Sequence, residues 1–348
     1  MNIIHITFGF GLGGIETMLH NIANEQVKLG HEIHIVVIND IVNQELKNTL
    51  NPKIHFHCLM RKVGSKNPLF IFRLNWLLYQ LHPNVIHLHY SSIASYILLR
   101  CLKSKLCVTQ HDICLAKDAK HLHQCKKIFS ISHAVHTDVL NHTGLNSFVV
   151  LNGIDIKAIK INDKRNNDKL RIVQVSRLLH EKKGQHILIQ AIANLVNKGY
   201  HNLSLDLIGD GESMGFLIKM TDELNVASYV NFLGAKDQSF IFEHLCDYDL
   251  YVQPSIYEGF GLTVAESMAA KVPVLVSENQ GPLEIIDNGK YGYYFKNQDV
   301  EDCASKIEMF LKHKNDPSMI SSAYQRVASL YNVKNTARKY LELYETLC

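Results

Sequence analysis

Residues 257–270 read YEGFGLTVAESMAA, and the order of their residue types predicts a local architecture. The apolar segment just before them, Leu250 to Ser255, is typical of a short buried strand, and Leu262 to Ala270 has the composition of a helix. Gly259 and Gly261 allow the backbone to approach a ligand closely, and the helix that follows presents free N–H groups to a phosphate. The segment therefore predicts a strand, a ligand-binding loop and a helix.

Two glutamates, separated by seven residues, supply the chemistry of this segment. Glu258 is predicted to lie in the loop and Glu266 about one turn into the helix, so both carboxylates can face one pocket. Both are acceptors with nothing basic beside them, which suits sugar and ribose hydroxyls better than a phosphate. The alternative is an ordinary loop and helix carrying two solvated glutamates.

At these residues the chain resembles the retaining nucleotide-sugar glycosyltransferases of family 4 (glycosyl transferases group 1), which have the GT-B fold and an E-x7-E motif written EGFGL followed by Glu. The resemblance extends along nearly the whole chain. It implies an α/β protein with two Rossmann-like, doubly wound parallel-sheet domains facing a central cleft. Residues 1–160 are expected to bind the acceptor and residues 161–332 the nucleotide-sugar donor. The last helix, about 333–348, is expected to pack back on the first domain.

Length and composition agree with two domains and exclude several classes of protein. The 348 residues suffice for two cores, and strand-like and helix-like segments alternate, which is typical of parallel sheets covered by helices. The eight cysteines form no C-x-x-C pair and no secretory signal is evident, so we expect a cytoplasmic protein with reduced thiols. The basic residues are scattered without a nucleic-acid-binding motif, so no nucleic-acid partner is expected.

A glycine-rich segment, GFGLGGIE, follows the first predicted strand. Gly9, Gly11 and Gly14 satisfy G-x-G-x-x-G, and Asp40 stands after the second strand, so a dinucleotide-dependent oxidoreductase is one interpretation. The ending GGIE instead resembles the glycine loop of family 4. That resemblance implies that Gly13 and Gly14 contact the donor diphosphate and the acceptor.

Histidines follow two other predicted strands of the first domain. His111, in VTQHD, resembles the family's strand-end His-Asp, which implies an imidazole near the transferred sugar and a catalytic role. His87 and His89 are weaker candidates, because only their place at a strand end supports them.

Cations follow the first strand of the second domain, in SRLLHEKKG, residues 176–184. Arg177 and Lys183 stand at a strand end and a helix start, where they can clamp a diphosphate, and Lys182 competes with Lys183 for this role. The resemblance further implies that Glu266 binds ribose and that Glu258 acts at the sugar. The remaining donor-binding positions that it implies are Gly209 and Gly234 near the base, and the backbone of Phe260, Gly261 and Leu262 near the sugar.

No cofactor and no metal ion are expected, because the resemblance assigns to Arg177 and Lys183 the work often done by magnesium. Two patterns offer metal sites as alternatives: the D-x-D of Asp247 and Asp249, and a strand-like alternation of His121, His123 and Cys125. Lys271 departs from the family, which usually has glycine there, and should alter how the preceding helix ends.

A polar segment, 157–169, is the predicted linker, and residues 61–81 have two interpretations. The basic start, RKVGSK, and the apolar helix after it could lie on an anionic membrane surface, or the helix could pack in the core of the first domain. No apolar run is long enough to span a bilayer, so any membrane contact would be peripheral.

The function implied is a hexosyltransferase-type, retaining transfer of a sugar from a nucleoside diphosphate sugar to a hydroxyl of a saccharide or lipid-linked saccharide. A UDP-sugar is favoured over a GDP-sugar, and surface polysaccharide or glycolipid synthesis is the expected setting. A GT-B-fold epimerase or hydrolase of UDP-sugars, and a non-catalytic sensor, are alternatives.

Overall fold

The computed structural model describes residues 1–114, 116–162, 169–278, 280–312 and 316–347. The chain forms two compact units, Met1–Ile154 with Asn332–Cys348, and Asp155–Tyr331. The first change of unit falls at Asp155, compared with the predicted boundary at 161. Residues 163–168 of the predicted linker lie outside the described residues.

The first unit contains a parallel sheet of seven strands in the order β3-β2-β1-β4-β5-β6-β7. The order reverses between β1 and β4, and ligands of such sheets bind where the strands on either side of the reversal end. The strands are β1 Asn2–Thr7, β2 Glu32–Asn39, β3 His55–Arg61, β4 Val85–Leu88, β5 Leu106–Gln110, β6 Lys127–Ser130 and β7 Phe148–Val149. The helices between them are α1 Gly14–Lys28, α2 Gln44–Asn48, α3 Leu69–Leu81, α4 Arg100–Lys103, α5 Ala119–Leu122 and α6 His133–Thr143.

The second unit contains a parallel sheet of six strands in the order β10-β9-β8-β11-β12-β13. Its strands are β8 Leu170–Val175, β9 Leu203–Ile208, β10 Val230–Gly234, β11 Leu250–Gln253, β12 Val274–Ser277 and β13 Tyr293–Phe295. Its helices are α7 His180–Lys183, α8 Gln185–Asn197, α9 Met214–Glu223, α10 Gln238–His244, α11 Leu262–Ala269, α12 Gln280–Ile285, α13 Val300–Lys312 and α14 Pro317–Leu330. The predicted fold class, two parallel-sheet α/β domains, is confirmed.

The last helix, α15 Val333–Glu345, belongs to the first unit and packs against α1. It buries Tyr340 and Tyr344 completely. The Tyr344 hydroxyl lies 2.5 Å from Nδ1 of His87, and the Tyr340 hydroxyl lies 2.9 Å from Oγ1 of Thr109. The two ends of the chain therefore share one core.

The segment between β4 and β5 does not form one continuous helix. Ser91–Tyr96 forms a 3-10 helix, and α4 begins only at Arg100. The side chain of Asn75, on α3, donates to the carbonyl of Tyr96 (2.7 Å) and accepts from the N–H of Leu98 (2.8 Å). These bonds occupy backbone groups that a continuous helix would pair internally.

The structure also bears on two smaller predictions. His121 lies in the helix α5 and His123 directly follows it, so the strand-like alternation predicted for His121, His123 and Cys125 is wrong. Lys271 adopts a left-handed backbone (φ 58°) just after α11, a conformation that glycine adopts with less strain. The glycine that the family usually has would therefore suit this position. Although the residue is a lysine here, α11 ends just before it.

The helix α3 has one buried side, as the core interpretation predicts, and one exposed side. Phe70, Leu74 and Leu78 are buried in the first unit, whereas Phe72 and Trp76 are each 63% exposed. No helix in the described ranges is both long and apolar enough to span a membrane.

Candidate active site

Lys183 and Glu258 form an ion pair beyond the carboxyl end of β11. The Lys183 ammonium donates to Oε2 of Glu258, and the two side chains are only 19% and 16% exposed. The expectation that nothing basic lies beside the two carboxylates is therefore wrong for Glu258. The fold brings together two residues that are 75 positions apart.

A glycine turn holds this pair in place. Gly184 ends α7 in a left-handed conformation (φ 67°), and a Cβ there would lie 1.9 Å from the carbonyl oxygen of Pro254. The N–H of Ile256 donates to the carbonyl of Lys182 over 2.9 Å. Only glycine allows this approach, so the Lys-Gly of the sequence motif sets how closely α7 meets the loop after β11.

The two candidate lysines point to different partners. The Lys183 ammonium contacts Glu258, whereas the Lys182 ammonium lies 5.0 Å above the ring of Tyr257. A cation held over an exposed aromatic ring and a cation held by a half-buried carboxylate are different environments. The sequence alone did not separate them, because both lysines precede Gly184.

A buried polar network on β11 and α11 supports the carboxylate of Glu258, and it was not predicted from the sequence. Nε2 of Gln253 lies 3.4 Å from Oε2 of Glu258 and donates to Oγ of Ser255 (2.6 Å). The Tyr251 hydroxyl donates to Oε1 of Gln253 and lies 2.6 Å from Oγ1 of Thr263 on α11. The sequence indicated this network only through the polar side chains that interrupt an otherwise apolar strand.

Glu266 is buried in α11, with 5% of its surface exposed. Burial raises the pKa of its carboxyl from 4.5 to about 7. Burial raises the pKa of Tyr251, and the charges of Glu258 and Glu266 raise it further, so both carboxyls lie near the Tyr251 hydroxyl. Glu266 can therefore be a hydrogen-bond donor or an acceptor at neutral pH.

The loop that joins Glu258 to α11 is held by close backbone contacts. Gly261 precedes α11 in a left-handed conformation (φ 100°), and Phe260 is buried against Tyr331 with ring centroids 5.4 Å apart. The N–H of Gly281 donates to the carbonyl of Glu258 (3.3 Å), and a Cβ at Gly281 would lie 2.5 Å from that oxygen. These contacts fix the loop between Glu258 and the first residue of α11, Leu262.

Arg177 and the two glycines predicted to lie near the base, Gly209 and Gly234, also lie at strand ends of the second unit. Gly209 follows β9 (φ 141°), and a Cβ there would lie 1.9 Å from the carbonyl oxygen of Ser176. The N–H of Gly209 donates to the carbonyl of Gly234 (2.9 Å). The Arg177 guanidinium donates to Oε1 of Glu212 (2.8 Å), and both of these side chains are largely exposed.

In the first unit, Gly13 precedes α1 and Gly14 is its first residue. A Cβ at Gly13 would lie 2.5 Å from Oε2 of Glu16, so the Glu16 carboxylate curls back over the loop. Burial raises the pKa of Glu16. The motif GGIE indicates a glycine loop, but nothing in the sequence indicated that its glutamate would contact that loop.

His111 follows β5 and begins a chain of hydrogen-bonded rings. Its Nε2 lies 3.1 Å from Nδ1 of His89, and Nε2 of His89 lies 3.1 Å from Nδ1 of His5. Nε2 of His5 lies 2.8 Å from Oε1 of Gln26, which can only accept. His5 and His89 must then each donate from Nε2, and so must His111, which leaves Nδ1 of His111 as an acceptor.

The imidazoles in this chain are neutral at pH 7. Burial lowers the pKa of His111 to about 3 and that of His5 to about 4, and it holds the pKa of His89 well below its usual range. The other candidate, His87, contacts Thr109 (2.7 Å) and Tyr344, within the core.

The D-x-D pair lies at the opposite end of the second sheet from Glu258. Oδ2 of Asp249 accepts from the N–H of Arg171 (2.8 Å), and Oδ2 of Asp247 lies 3.0 Å from Nδ1 of His244. Within the described ranges, the groups of three side chains close enough to share one ion contain neither of these aspartates. They also contain none of the predicted set of His121, His123 and Cys125.

Known families and proteins resemble this chain along most of its length. The family described as Glycosyltransferase Family 4 matches residues 12–158, and the family described as Glycosyl transferases group 1 matches residues 155–326. An uncharacterized glycosyltransferase of Methanocaldococcus jannaschii is 25% identical over 96% of this chain and 94% of its own. CapJ of Staphylococcus aureus is 31% identical over 50% of this chain and 42% of its own.

The chain spans about half the length of the first curated relatives that it matches. Among solved structures, Anabaena HepE in complex with UDP and glucose superimposes with a TM-score of 0.85 at 18% identity, over 99% of this chain and all of that one. Both matching families are glycosyltransferases and neither is a dinucleotide-dependent oxidoreductase. The chain therefore belongs to the group 1 glycosyltransferases and has the GT-B fold.

Proposed function

We propose that this chain is a retaining glycosyltransferase that transfers a sugar from a nucleoside diphosphate sugar, with UDP as the favoured nucleotide. The acceptor is a hydroxyl of a saccharide or a lipid-linked saccharide, in surface polysaccharide or glycolipid synthesis. The observation that carries this proposal is the mostly buried pair of Lys183 and Glu258, which lie at the end of α7 and in the loop that precedes α11. The names of relatives support the donor and the setting: HepE was crystallised with UDP-glucose, and another relative is a poly(ribitol-phosphate) N-acetylglucosaminyltransferase of Staphylococcus aureus.

On this proposal, the second unit holds the donor. Lys183, Arg177 and the N–H groups at the start of α11 stabilise the negative charge of the departing diphosphate, and such preorganised charge is a large part of catalysis. Glu266 binds the ribose hydroxyls, while Glu258 binds the sugar. The cations make a metal ion unnecessary, and no cofactor is needed.

The first unit is proposed to supply the acceptor side. Gly13 and Gly14 bring backbone N–H groups to the diphosphate, and His111 presents a neutral Nδ1 that can accept a hydrogen bond from a sugar hydroxyl. The acceptor hydroxyl attacks from the face that the diphosphate leaves, so the anomeric configuration is retained.

The ion pair predicts different consequences for its two members. Glu258→Ala, Lys183→Ala and Arg177→Ala should each lower transfer about 10²-fold or more, because each removes a charge that acts in the transition state. Glu258→Ala should also bind UDP more tightly than wild type, since Lys183 loses its competing anion. Lys183→Ala should bind UDP more weakly. Calorimetric titration with UDP, beside a transfer assay, measures both effects.

Two further variants complete this test. Lys219→Ala removes an exposed cation of α9 and should change neither transfer nor binding. Lys182→Ala should have a smaller effect than Lys183→Ala, because its ammonium lies over Tyr257. Near wild-type turnover in all three of the variants at 258, 183 and 177 would show that the site assignment is wrong.

The exposed side of α3 supports a peripheral contact between the acceptor side and an anionic membrane. Phe72 and Trp76 are exposed, and Lys62 and Lys66 precede the helix. Phe72→Ser with Trp76→Ser should reduce sedimentation with vesicles of anionic lipid, whereas substitutions at the exposed Phe216 and Ile218 of the second unit should not. Equal sedimentation of both double variants would rule out this contact.

A further inference from the structure

Four side chains of the first unit, all of types that can bind a metal ion, take no part in the proposed transfer. Glu32 and His34 lie on β2, His55 and His57 lie on the edge strand β3, and the parallel register pairs His34 with His55. Side chains two residues apart on a strand share a face. The four therefore lie together on one face of the sheet, at the amino ends of two neighbouring strands.

The distances bring three of these side chains within reach of one ion. Nε2 of His34 lies 3.4 Å from Oε1 of Glu32, and one ligand atom from each of Glu32, His34 and His55 lies within 4.8 Å of the other two. Two ligands that are each about 2.0–2.2 Å from one zinc ion can be at most ~4.4 Å apart. Glu32 and His55 are exposed, so small side-chain rotations suffice to close the set.

His57 is placed to orient the buried ligand. Its Nε2 lies 3.1 Å from Nδ1 of His34, and the side chain of His34 is only 4% exposed. If Nδ1 of His34 donates to His57, the lone pair of Nε2 faces Glu32. Histidine ligands of metals usually have such a partner on the second ring nitrogen.

A second group of histidines in this unit is not accessible to a metal ion in the same way. His5, His87 and His89 are also close enough to share an ion, and they are completely buried. All of their ring nitrogens, however, lie within hydrogen-bonding distance of protein partners, the outermost being Gln26 and His111. An ion there would have to break the core network, whereas the group on β2 and β3 is reached from solvent.

We propose that Glu32, His34 and His55 bind one Zn²⁺ ion, with His57 as a positioning residue for His34. Two imidazoles and a carboxylate are ligands that zinc accepts, and the fourth position is left to water. The site joins the edge strand β3 to β2 at their amino ends, away from the carboxyl ends where His111 and the glycine loop lie. Zinc is therefore expected to stabilise the first unit without entering the transfer reaction.

The test is a calorimetric titration of tag-free, EDTA-treated, full-length protein with ZnCl₂, together with thermal melts. Wild type should bind one zinc ion per chain and melt at a higher temperature with zinc. Glu32→Gln and His55→Gln should each weaken binding at least ~10-fold, and His57→Gln by about 10–100-fold. Because Glu32 and His55 are exposed, their variants should melt like wild type in EDTA.

One control variant and three contrary outcomes complete the test. His201→Gln, an exposed histidine of the second unit that lies 2.9 Å from the Tyr229 hydroxyl, should bind zinc as wild type does. Less than one zinc per wild-type chain, or undiminished binding by Glu32→Gln and His55→Gln, would overturn the proposal. Zinc binding that is lost in His89→Gln but kept in His55→Gln would place the ion in the buried group and would overturn it equally.

Discussion

Lys183 and Glu258 each neutralise the other's charge in the free protein. Their side chains are mostly buried, and a mostly buried pair loses stability when only one partner is removed, because the remaining charge is left uncompensated. A bound diphosphate would give Lys183 a second anion and free Glu258 to bind the sugar. Melting temperatures must therefore accompany every activity measured on variants of this pair.

Glu266 predicts a stability effect that changes with pH. Its pKa rises from 4.5 to about 7 on folding, so the folded state favours the protonated carboxyl. That stabilisation is present below the unfolded pKa and is lost as the pH rises through about 7. Glu266→Gln should therefore stabilise the protein by about 3 kcal/mol at pH 8, at roughly 1.4 kcal/mol per pKa unit, and by little at pH 4.5.

Scanning calorimetry of both proteins at the two pH values measures this difference. Glu243→Gln, at an exposed position of α10, is the matched control and should change stability little at either pH. If Glu266 binds ribose as proposed, Glu266→Gln should also weaken UDP binding, because an amide oxygen is a weaker acceptor than a carboxylate. A stability difference that does not change with pH would contradict the raised pKa.

At the scale of elements, the strand-to-helix turns of the second unit rest on neighbouring backbone. Gly184 lies against Pro254, and Gly209 lies against Ser176, each with no room for a Cβ. These two contacts place α7 beside the loop of Glu258 and place the turn after β9 beside Arg177. The glycines thus determine the spacing between the charged groups of the candidate site.

Gly184→Ala is expected to disturb both stability and transfer. Two costs combine: the left-handed conformation, about 1–2 kcal/mol for a residue with a Cβ, and the overlap with Pro254, for a total above ~3 kcal/mol. Urea unfolding measures the loss. Transfer should fall at least tenfold as Lys183 moves away from Glu258.

Gly199→Ala separates these two costs. Gly199 also has a left-handed conformation (φ 90°), but a Cβ there would have no neighbour within 4 Å. It should lose only the conformational part, about 1–2 kcal/mol, and keep full transfer. Equal losses in the two variants would show that the contact with Pro254 is unimportant.

At the scale of the molecule, each unit has its own core and its own titrating groups. The first unit buries His5, His87 and His89, whose rings lie in contact; His89 bonds the partly exposed His111, and His87 bonds Tyr344 of α15. Because α15 comes from the end of the chain, this core is complete only when residues 332–348 are present.

The buried histidines predict that acid destabilises the first unit. Their pKa values are lowered, so histidines of the unfolded chain take up protons near pH 6.5 that the folded chain does not. Stability is therefore fully present above about pH 6.5 and decreases by up to about 1.4 kcal/mol per pH unit for each histidine as the pH falls. Urea unfolding between pH 5 and 7, followed by the fluorescence of Trp76, measures the slope.

A single substitution checks the assignment. His5→Gln should reduce the slope by about 1.4 kcal/mol per pH unit, whereas His201→Gln, at an exposed site, should leave it unchanged. If the two variants keep the wild-type slope, the buried rings are not the groups that titrate.

The sequence by itself determined the fold class and the family, because both depend on local patterns. Alternating apolar segments specify strands and helices, and EGFGL with the two glutamates specifies a strand, a loop and a helix within a few residues. The sequence also shows where the chain departs from the family pattern, as at Lys271, where the family usually has glycine.

Only the tertiary structure decided which groups meet. Lys183 contacts Glu258 across 75 positions and His5 contacts His89 across 84, and no local pattern specifies such pairs. The helical segment between β4 and β5 is interrupted for the same reason, because the amide of Asn75 binds backbone groups that are distant from it in sequence. Strand order brings these residues together, and burial then sets their charge, so the pKa of Glu266 and the tautomer of His111 follow from packing rather than from residue type.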